Sequence, residues 1–172
     1  MNDEFRYSGK VTIKSILQDR IVHSQHFNNG TELLFKAYSM AMAGYDITEL
    51  LPSFINVGYI SDNKFESVMT NEDGVSVTRT YTNARINESD EPRPITRVTT
   101  TFTRNMFNNK LSGNSNSLRL HLDTLVKNSD GNNTLAQIEL SDDESNTFRN
   151  LISNSSPGTQ IIIVWDLYIR NA

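Results

Sequence analysis

Length, composition and charge restrict the classes of protein to which this chain can belong. It has 172 residues, a formal net charge of −4 at pH 7, a pI near 5.3 and no cysteine. The length is typical of one domain, which we assign to residues 1–172. The lack of cysteine excludes thiol nucleophiles, zinc ribbons and disulfide frameworks, and because Lys and Arg are nowhere concentrated, nucleic acid is not an expected partner.

The N-terminus and the apolar runs bear on the compartment. Residues 1–6 are polar and acidic and lack the apolar segment of a signal peptide. The longest apolar run, residues 161–165, is far too short to span a membrane. We therefore expect a soluble protein without membrane insertion that folds in a reducing cytosol.

The first third of the chain predicts a hairpin followed by a helix. Apolar and polar residues alternate over 10–17, which indicates a strand, and residues 21–27 are predicted to return after a turn at 18–20. Thr31 stands at an N-cap position, where its hydroxyl would accept a hydrogen bond from an early backbone N–H. Residues 32–43 carry apolar side chains at helical spacing, and Gly44 suits the left-handed position that follows a helix.

The middle of the chain alternates strand and loop signals. The Asp73-Gly74 pair predicts a tight turn before one continuous strand over 75–82. The two longest predicted loops, residues 83–94 and 104–117, flank a Thr-rich strand at 95–103 and should emerge at opposite ends of a sheet. Two further strands are predicted here, at 54–60 and 64–69.

The last third predicts three strands and a second helix. Strands are expected at 118–122 and 134–140, and Ser141 with Glu144 has the spacing of a capping box that starts a short helix. The final strand, 160–170, is apolar on both faces and is therefore predicted to be central. The fold class that follows is mainly β, an antiparallel sandwich or barrel-like domain with about eight strands and two short-to-medium helices. The predicted core comprises Val11, Ile13, Leu34, Ala37, Ile55, Leu120, Ile138, Phe148, Ile163 and Trp165.

No pattern of residues indicates catalysis or a cofactor. The chain has no GxGxxG, P-loop or GxSxG motif, although carboxylates distant in sequence could still pair in the fold. His121 alternates with leucines and is expected to face solvent. The acidic run Asp142, Asp143 and Glu144 could hold Ca²⁺ or Mg²⁺, but a helix N-terminus explains the same residues. We predict no enzymatic activity, no cofactor and no metal.

The order of features resembles that of a known class of protein. Gly9-Lys10-Val11-Thr12-Ile13 opens a strand, and residues 26–31 lead into an apolar helix that ends at Gly44. Pro52 precedes a strand, residues 135–140 precede a short helix, and residues 163–167 (IVWDL) close the chain. This order resembles small structural proteins of tailed-bacteriophage virions, of the tail, collar or capsid-auxiliary kind. The resemblance implies a non-enzymatic homo-oligomeric subunit, located in the virion after folding in the bacterial host cytoplasm, with itself and other virion structural proteins as partners.

Candidate contact residues lie mainly in the two long loops. Loop 104–117 carries Met106 and Phe107, which either pack back onto their own core or contact a neighbour, and we predict that Phe107 points outward. Trp165 shares its face with apolar residues and is expected in the core, whereas Tyr168, on the opposite face, is the better contact. The remaining candidates are Glu88, Asp90 and Glu91 of loop 83–94. A carbohydrate- or receptor-binding module is the alternative function, for which Phe107, Tyr45 and Tyr59 are the aromatic candidates.

Overall fold

Two antiparallel sheets build the fold. The structure is a computed structural model that describes residues 5–15, 21–27 and 31–171. Within these residues, the strands in chain order are β1 (Phe5–Ser15), β2 (Ile21–Phe27), β3 (Phe54–Ser61), β4 (Lys64–Ser67), β5 (Val75–Ser76), β6 (Thr78–Ala84), β7 (Arg93–Phe102), β8 (Arg119–Asp123), β9 (Thr134–Glu139) and β10 (Ile161–Asn171). The helices are α1 (Glu32–Met42) and α2 (Asp142–Ser153), with single 3₁₀ turns at Thr48–Leu50 and Arg104–Met106.

The strand order confirms the predicted mainly β, sandwich-like fold. One five-stranded sheet has the order β2-β1-β10-β7-β6, and the other has the order β4-β3-β8-β9 with β5 added against β3. The first hairpin is confirmed, since β1 pairs antiparallel with β2. The last strand is central as predicted, because β10 lies between β1 and β7. The predicted turns at 18–20 and 28–30 lie outside the described residues.

The core lies between the two sheets and is closed by α2. All predicted core residues are buried except Leu34, which is half-buried because α1 stands beside a groove rather than on the core. Trp165 is fully buried, and its neighbours at alternate positions, Ile161 and Ile163, share the inner face of β10. The prediction that Trp165 belongs to the core is confirmed.

The predicted continuous strand 75–82 is wrong, because the chain changes sheets at Val77. β5 pairs with β3 in one sheet, whereas β6 pairs with β7 in the other. The Val77 N–H donates to the Ser53 carbonyl at 3.1 Å, at the point where the chain crosses. An alternating pattern gives the face of each side chain but not the sheet to which the strand belongs. The following loop is also shorter than predicted, since it spans only residues 85–92.

The start of α1 differs from the prediction, whereas the start of α2 confirms it. Thr31 stands at the N-cap of α1, but its hydroxyl makes no side-chain cap. Instead, the hydroxyl donates to the Thr134 carbonyl at 2.6 Å and to that of Leu135 at 3.1 Å, which ties α1 to β9. In α2 the capping box is present, with Ser141 and Glu144 each bonded to the other's backbone N–H.

Candidate functional site

Helix α1 is apolar in sequence but poorly buried. Its sequence, ELLFKAYSMAM, has only three polar residues, yet it buries only Leu33 and Ala37. Of the side chains that remain open, Met42 is 72% exposed, and Tyr45, just beyond the helix, is 66% exposed. A helix that is apolar on most sides is normally buried. No helix in the described part of the chain is long and apolar enough to cross a membrane.

An open groove of about 660 Å³ separates α1 from the first sheet. One wall is formed by α1 and the 3₁₀ turn that follows it, and the other by β6, β7 and the end of β10. Arg79 is the only charged residue among those that line it, and its guanidinium donates to the Pro52 carbonyl at 2.8 Å. The lining is otherwise dominated by apolar side chains, including Leu34, Ala41, Leu50, Tyr81, Leu167 and Ile169.

A second exposed apolar feature lies on the loop between β8 and β9. Leu125 is 57% exposed and Val126 is 43% exposed. The loop is held by Asn128, whose side-chain oxygen accepts the backbone N–H groups of Asp130 and Asn132 at 3.0 and 2.9 Å. The adjacent leucine and valine are therefore presented on an ordered loop rather than a loose one. The sequence signal for this feature is two consecutive apolar residues before a polar segment, and these residues are absent from the predicted contacts.

The loop and the groove share one end of the molecule. The Ser53 N–H donates to the Asp123 carbonyl at 2.9 Å, which places the start of the loop beside Pro52 in the groove wall. Leu135, directly after the end of the loop, also lines the groove. We call this surface, made of α1, the groove and Leu125–Val126, the apolar end.

The prediction that Phe107 points outward is wrong. Its ring lies 5.5 Å from that of Phe102 and 5.7 Å from that of Phe148, measured between ring centroids, and the latter contact is edge-on. Met106 is likewise half-buried against the core. These two half-buried apolar side chains therefore fasten their loop to the core.

The rest of that loop is fastened by a buried arginine. The Arg149 guanidinium, on α2, donates to the Leu111 carbonyl at 2.9 Å and to the Asn114 side-chain oxygen at 3.0 Å. It also donates to the Asn116 carbonyl. Burial lowers the pKa of Arg149, and Asp142 partly opposes that shift. The long loop is therefore part of the scaffold rather than a free arm.

Tyr168 is also not the surface contact that the sequence suggested. Its side chain is buried in a small cluster with Ile86 and Ile95, and the Arg93 guanidinium lies 5.5 Å from its ring centroid. The loop 85–92 folds over this part of the outer face of the sheet, and the Lys10 amine donates to the Ile86 carbonyl at 2.8 Å. The face was correctly predicted, but the loop covers it.

The acidic candidates of loop 85–92 are placed where a partner could reach them. Glu88 and Glu91 are exposed, and Asp90 is half-buried because its carboxylate accepts from the backbone and side-chain nitrogens of Asn87 at 3.1 and 3.2 Å. The loop ends two residues before Pro94, which lines the groove. An acidic rim therefore adjoins the apolar end.

A polar cluster on the second sheet joins His121, Thr134 and Asp123. The Thr134 hydroxyl donates to the Asp123 carboxylate at 2.8 Å and lies 3.4 Å from His121 Nδ1. The Phe65 ring stacks on His121 with centroids 3.9 Å apart, so the prediction that His121 faces solvent is wrong. Gly58 permits this cover, because a Cβ there would lie 2.5 Å from the Phe65 ring.

Burial shifts the pKa of both titratable groups in this cluster, each toward its neutral form. Burial raises the pKa of Asp123 to about 6, against the opposing hydrogen bond from Thr134 and the charge of Lys127. Burial, with a smaller contribution from the Arg119 charge, lowers the pKa of His121 to about 4. His121 Nε2 is shielded from solvent and has no hydrogen-bond partner among the described residues. The two titratable groups of this cluster are therefore covered rather than presented at the surface.

The acidic run at the start of α2 is occupied by helix contacts. Glu144 closes the capping box, and the Asp142 carboxylate accepts from the Ser117 hydroxyl at 2.8 Å. Across the described ranges, no three His, Asp or Glu side chains lie together as metal ligands. The helix interpretation of these residues accounts for their positions.

The comparisons with known proteins give no relative from which a function could be transferred. No protein-family model matches the chain, and no curated protein or solved structure matches it. The function must therefore be argued from the geometry of the apolar end and of the surfaces around it.

Proposed function

We propose that this protein is a non-enzymatic structural subunit of a symmetric assembly, acting through protein–protein contacts, as the resemblance to tailed-bacteriophage virion proteins implies. The observation that carries the proposal is helix α1, which is apolar on most sides but buries only Leu33 and Ala37. The other partners of such a subunit would be further structural proteins of the particle.

The physical reason for proposing assembly is the unfavourable free energy of leaving an apolar surface in contact with water. Each square ångström of apolar surface removed from water contributes roughly 25 cal/mol. Contiguous exposed apolar patches on a folded protein mark interaction sites. A subunit that assembles with copies of itself buries the patch in every copy, whereas a lone monomer would carry it as an aggregation liability.

The test is the mass of the protein in solution. In sedimentation velocity over a concentration series, the wild-type protein should form a defined oligomer, and Met42→Asp should shift it to monomer. Met42→Leu is the matched control, because it keeps an apolar side chain of similar volume at the same exposed position of α1. A wild-type protein that stays monomeric at all concentrations, or a control that dissociates it equally, would contradict the proposal.

A carbohydrate- or receptor-binding module is the second candidate. It is favoured by the exposure of Tyr81, which is 78% exposed beside the groove, together with Tyr45. Tyr59 and Phe107, the other two aromatic candidates, pack against the core instead. Titration with a panel of soluble glycans, followed by NMR of the tyrosine rings, separates the two functions, because only a glycan-binding module responds as a monomer.

A further inference from the structure

We infer that the contact between copies is a twofold knob-in-groove pairing, in which Leu125 and Val126 of one copy enter the groove beside α1 of a second copy, and reciprocally. This inference rests on the proposed function and names the partner of the same surface. It accounts for two exposed features at once: a concave apolar groove, and two adjacent apolar side chains held outward on an ordered loop.

The position of the two features fits a twofold axis. The knob and the groove adjoin at one end of the molecule, since Ser53 and Leu135 connect the loop to the groove walls. A rotation of 180° about an axis between them superposes each knob on the other copy's groove. Such an isologous contact is closed and self-complementary, with the same residues used on both copies.

Charge complementarity supports a second copy as the occupant. Lys127 follows the knob directly and is exposed, whereas loop 85–92, which ends two residues before Pro94 of the groove wall, carries three carboxylates (Glu88, Asp90 and Glu91) against one cation, Arg85. In the twofold pairing, the lysine of each copy faces the acidic rim of the other. Opposite charges at the edge of an interface orient the partners and suppress wrong arrangements.

The groove has the size and chemistry for such a knob. Its volume of about 660 Å³ exceeds what two aliphatic side chains fill, so the flanking loop backbone can enter with them. Burying an exposed leucine completely contributes about 1.5–3 kcal/mol, and a central apolar anchor of this kind dominates the affinity of many interfaces.

The experiment uses two complementary variants of the full chain. Leu125→Asp removes the knob but keeps the groove, and Ala41→Trp fills the groove from an exposed position on α1 but keeps the knob. Each variant alone should raise the dissociation constant by about tenfold or more. Mixed together, they should form pairs more tightly than either does alone, because one knob and one groove remain in each mixed pair. Ser129→Asn, at an exposed position of the same loop, changes neither charge nor apolar surface, so it is the control and should pair as the wild-type protein does.

Reversing the charge of Lys127 tests the pairing independently of the apolar contact. Lys127→Glu should weaken pairing several-fold, whereas Lys64→Glu, at the exposed first residue of β4 beside the turn at the other end of β3, should not. If the wild-type protein associates but neither Leu125→Asp nor Ala41→Trp weakens it, the pairing is wrong while the proposed function stands. If the mixture pairs no better than its components, the reciprocal contact is refuted. A monomeric wild-type protein would overturn both proposals.

Discussion

The buried pair Asp123 and His121 should give stability two opposing dependences on pH. The pKa of Asp123 rises from 3.8 to about 6 on folding, so between these values the folded state binds more protons than the unfolded state. Its contribution to the free energy of unfolding is therefore present at low pH and lost as the pH rises through 6. The pKa of His121 falls from 6.5 to about 4, so the folded state binds fewer protons and stability increases as the pH rises from 4 to 6.5.

The two effects have similar magnitude and therefore nearly cancel in the wild-type protein. One pKa unit corresponds to about 1.36 kcal/mol, so each shift of roughly two units corresponds to at most about 3 kcal/mol. Replacing one of the two residues should reveal the pH dependence that the other gives to the free energy of unfolding. As the pH rises from 4 to 6.5, the free energy of unfolding of Asp123→Asn should increase by up to about 3 kcal/mol. As the pH rises from 4 to 6, that of His121→Phe, which keeps a ring against Phe65, should decrease by about the same amount.

The assay is urea denaturation at half-unit intervals from pH 4 to 7.5, followed by the fluorescence of Trp165, which is the single tryptophan and is buried. The Asp123→Asn/His121→Phe double variant provides the background from all other carboxylates, and the single-variant slopes are read relative to it. If the two single variants show parallel profiles, the shifted pKa values and the burial from which they follow are wrong.

Three further substitutions test the scaffold. Trp165→Ala should lower the free energy of unfolding by about 3–5 kcal/mol, measured by far-ultraviolet circular dichroism, because it empties the centre of the core. Gly58→Ala should cost about 1–3 kcal/mol in urea denaturation and expose His121 to solvent, since its methyl group would clash with the Glu66 carbonyl oxygen of β4 and lie 2.5 Å from the Phe65 ring, so both must shift. Arg149→Met should cost about 1–3 kcal/mol for each buried carbonyl it leaves unpaired, and hydrogen exchange should become faster over residues 108–117 but not in β10.

The sequence predicted those elements whose pattern has a single physical cause. The capping box at Ser141 and Glu144 specifies a helix start through local contacts alone, and it is present as predicted. The central place of β10 followed from apolar residues on both faces, such as Ile162 beside Ile163, which only a strand covered on both sides can bury. Alternation likewise identified the first hairpin and the inner face that carries Trp165.

Two of the wrong predictions, those for Tyr168 and His121, concern the outer face of a strand. In both cases another part of the chain covers the face that the alternating pattern assigns to solvent. Tyr168 and His121 lie on the faces that their positions predict, but loop 85–92 covers the first and Phe65 the second. Neither cover can be read from the strand itself, because each depends on a distant residue: Ile86 in one case and Gly58 in the other. The apolar residues of α1 raised the opposite difficulty, since helical spacing identifies an apolar stripe without saying whether the chain's own core or a partner buries it.

Several surfaces of the two sheets are covered by the chain's own loops and side chains, which restricts where an assembly contact can form. Loop 85–92 covers part of the outer face of the first sheet, Phe65 covers His121 on the second, and Arg149 fixes the long loop against α2. Among the residues whose side chains the structure describes, 8–13 and 31–169, the exposed large apolar side chains lie on or just after α1, along the groove or on the loop between β8 and β9: Phe35, Tyr38, Met42, Tyr45, Tyr81, Leu125, Val126 and Ile169. Hydrophobic association has no direction of its own, so direction must come from where the apolar surface is left open. If the protein assembles as we propose, we expect the contact driven by this surface to form at the apolar end, and further growth of the assembly to use the polar loops.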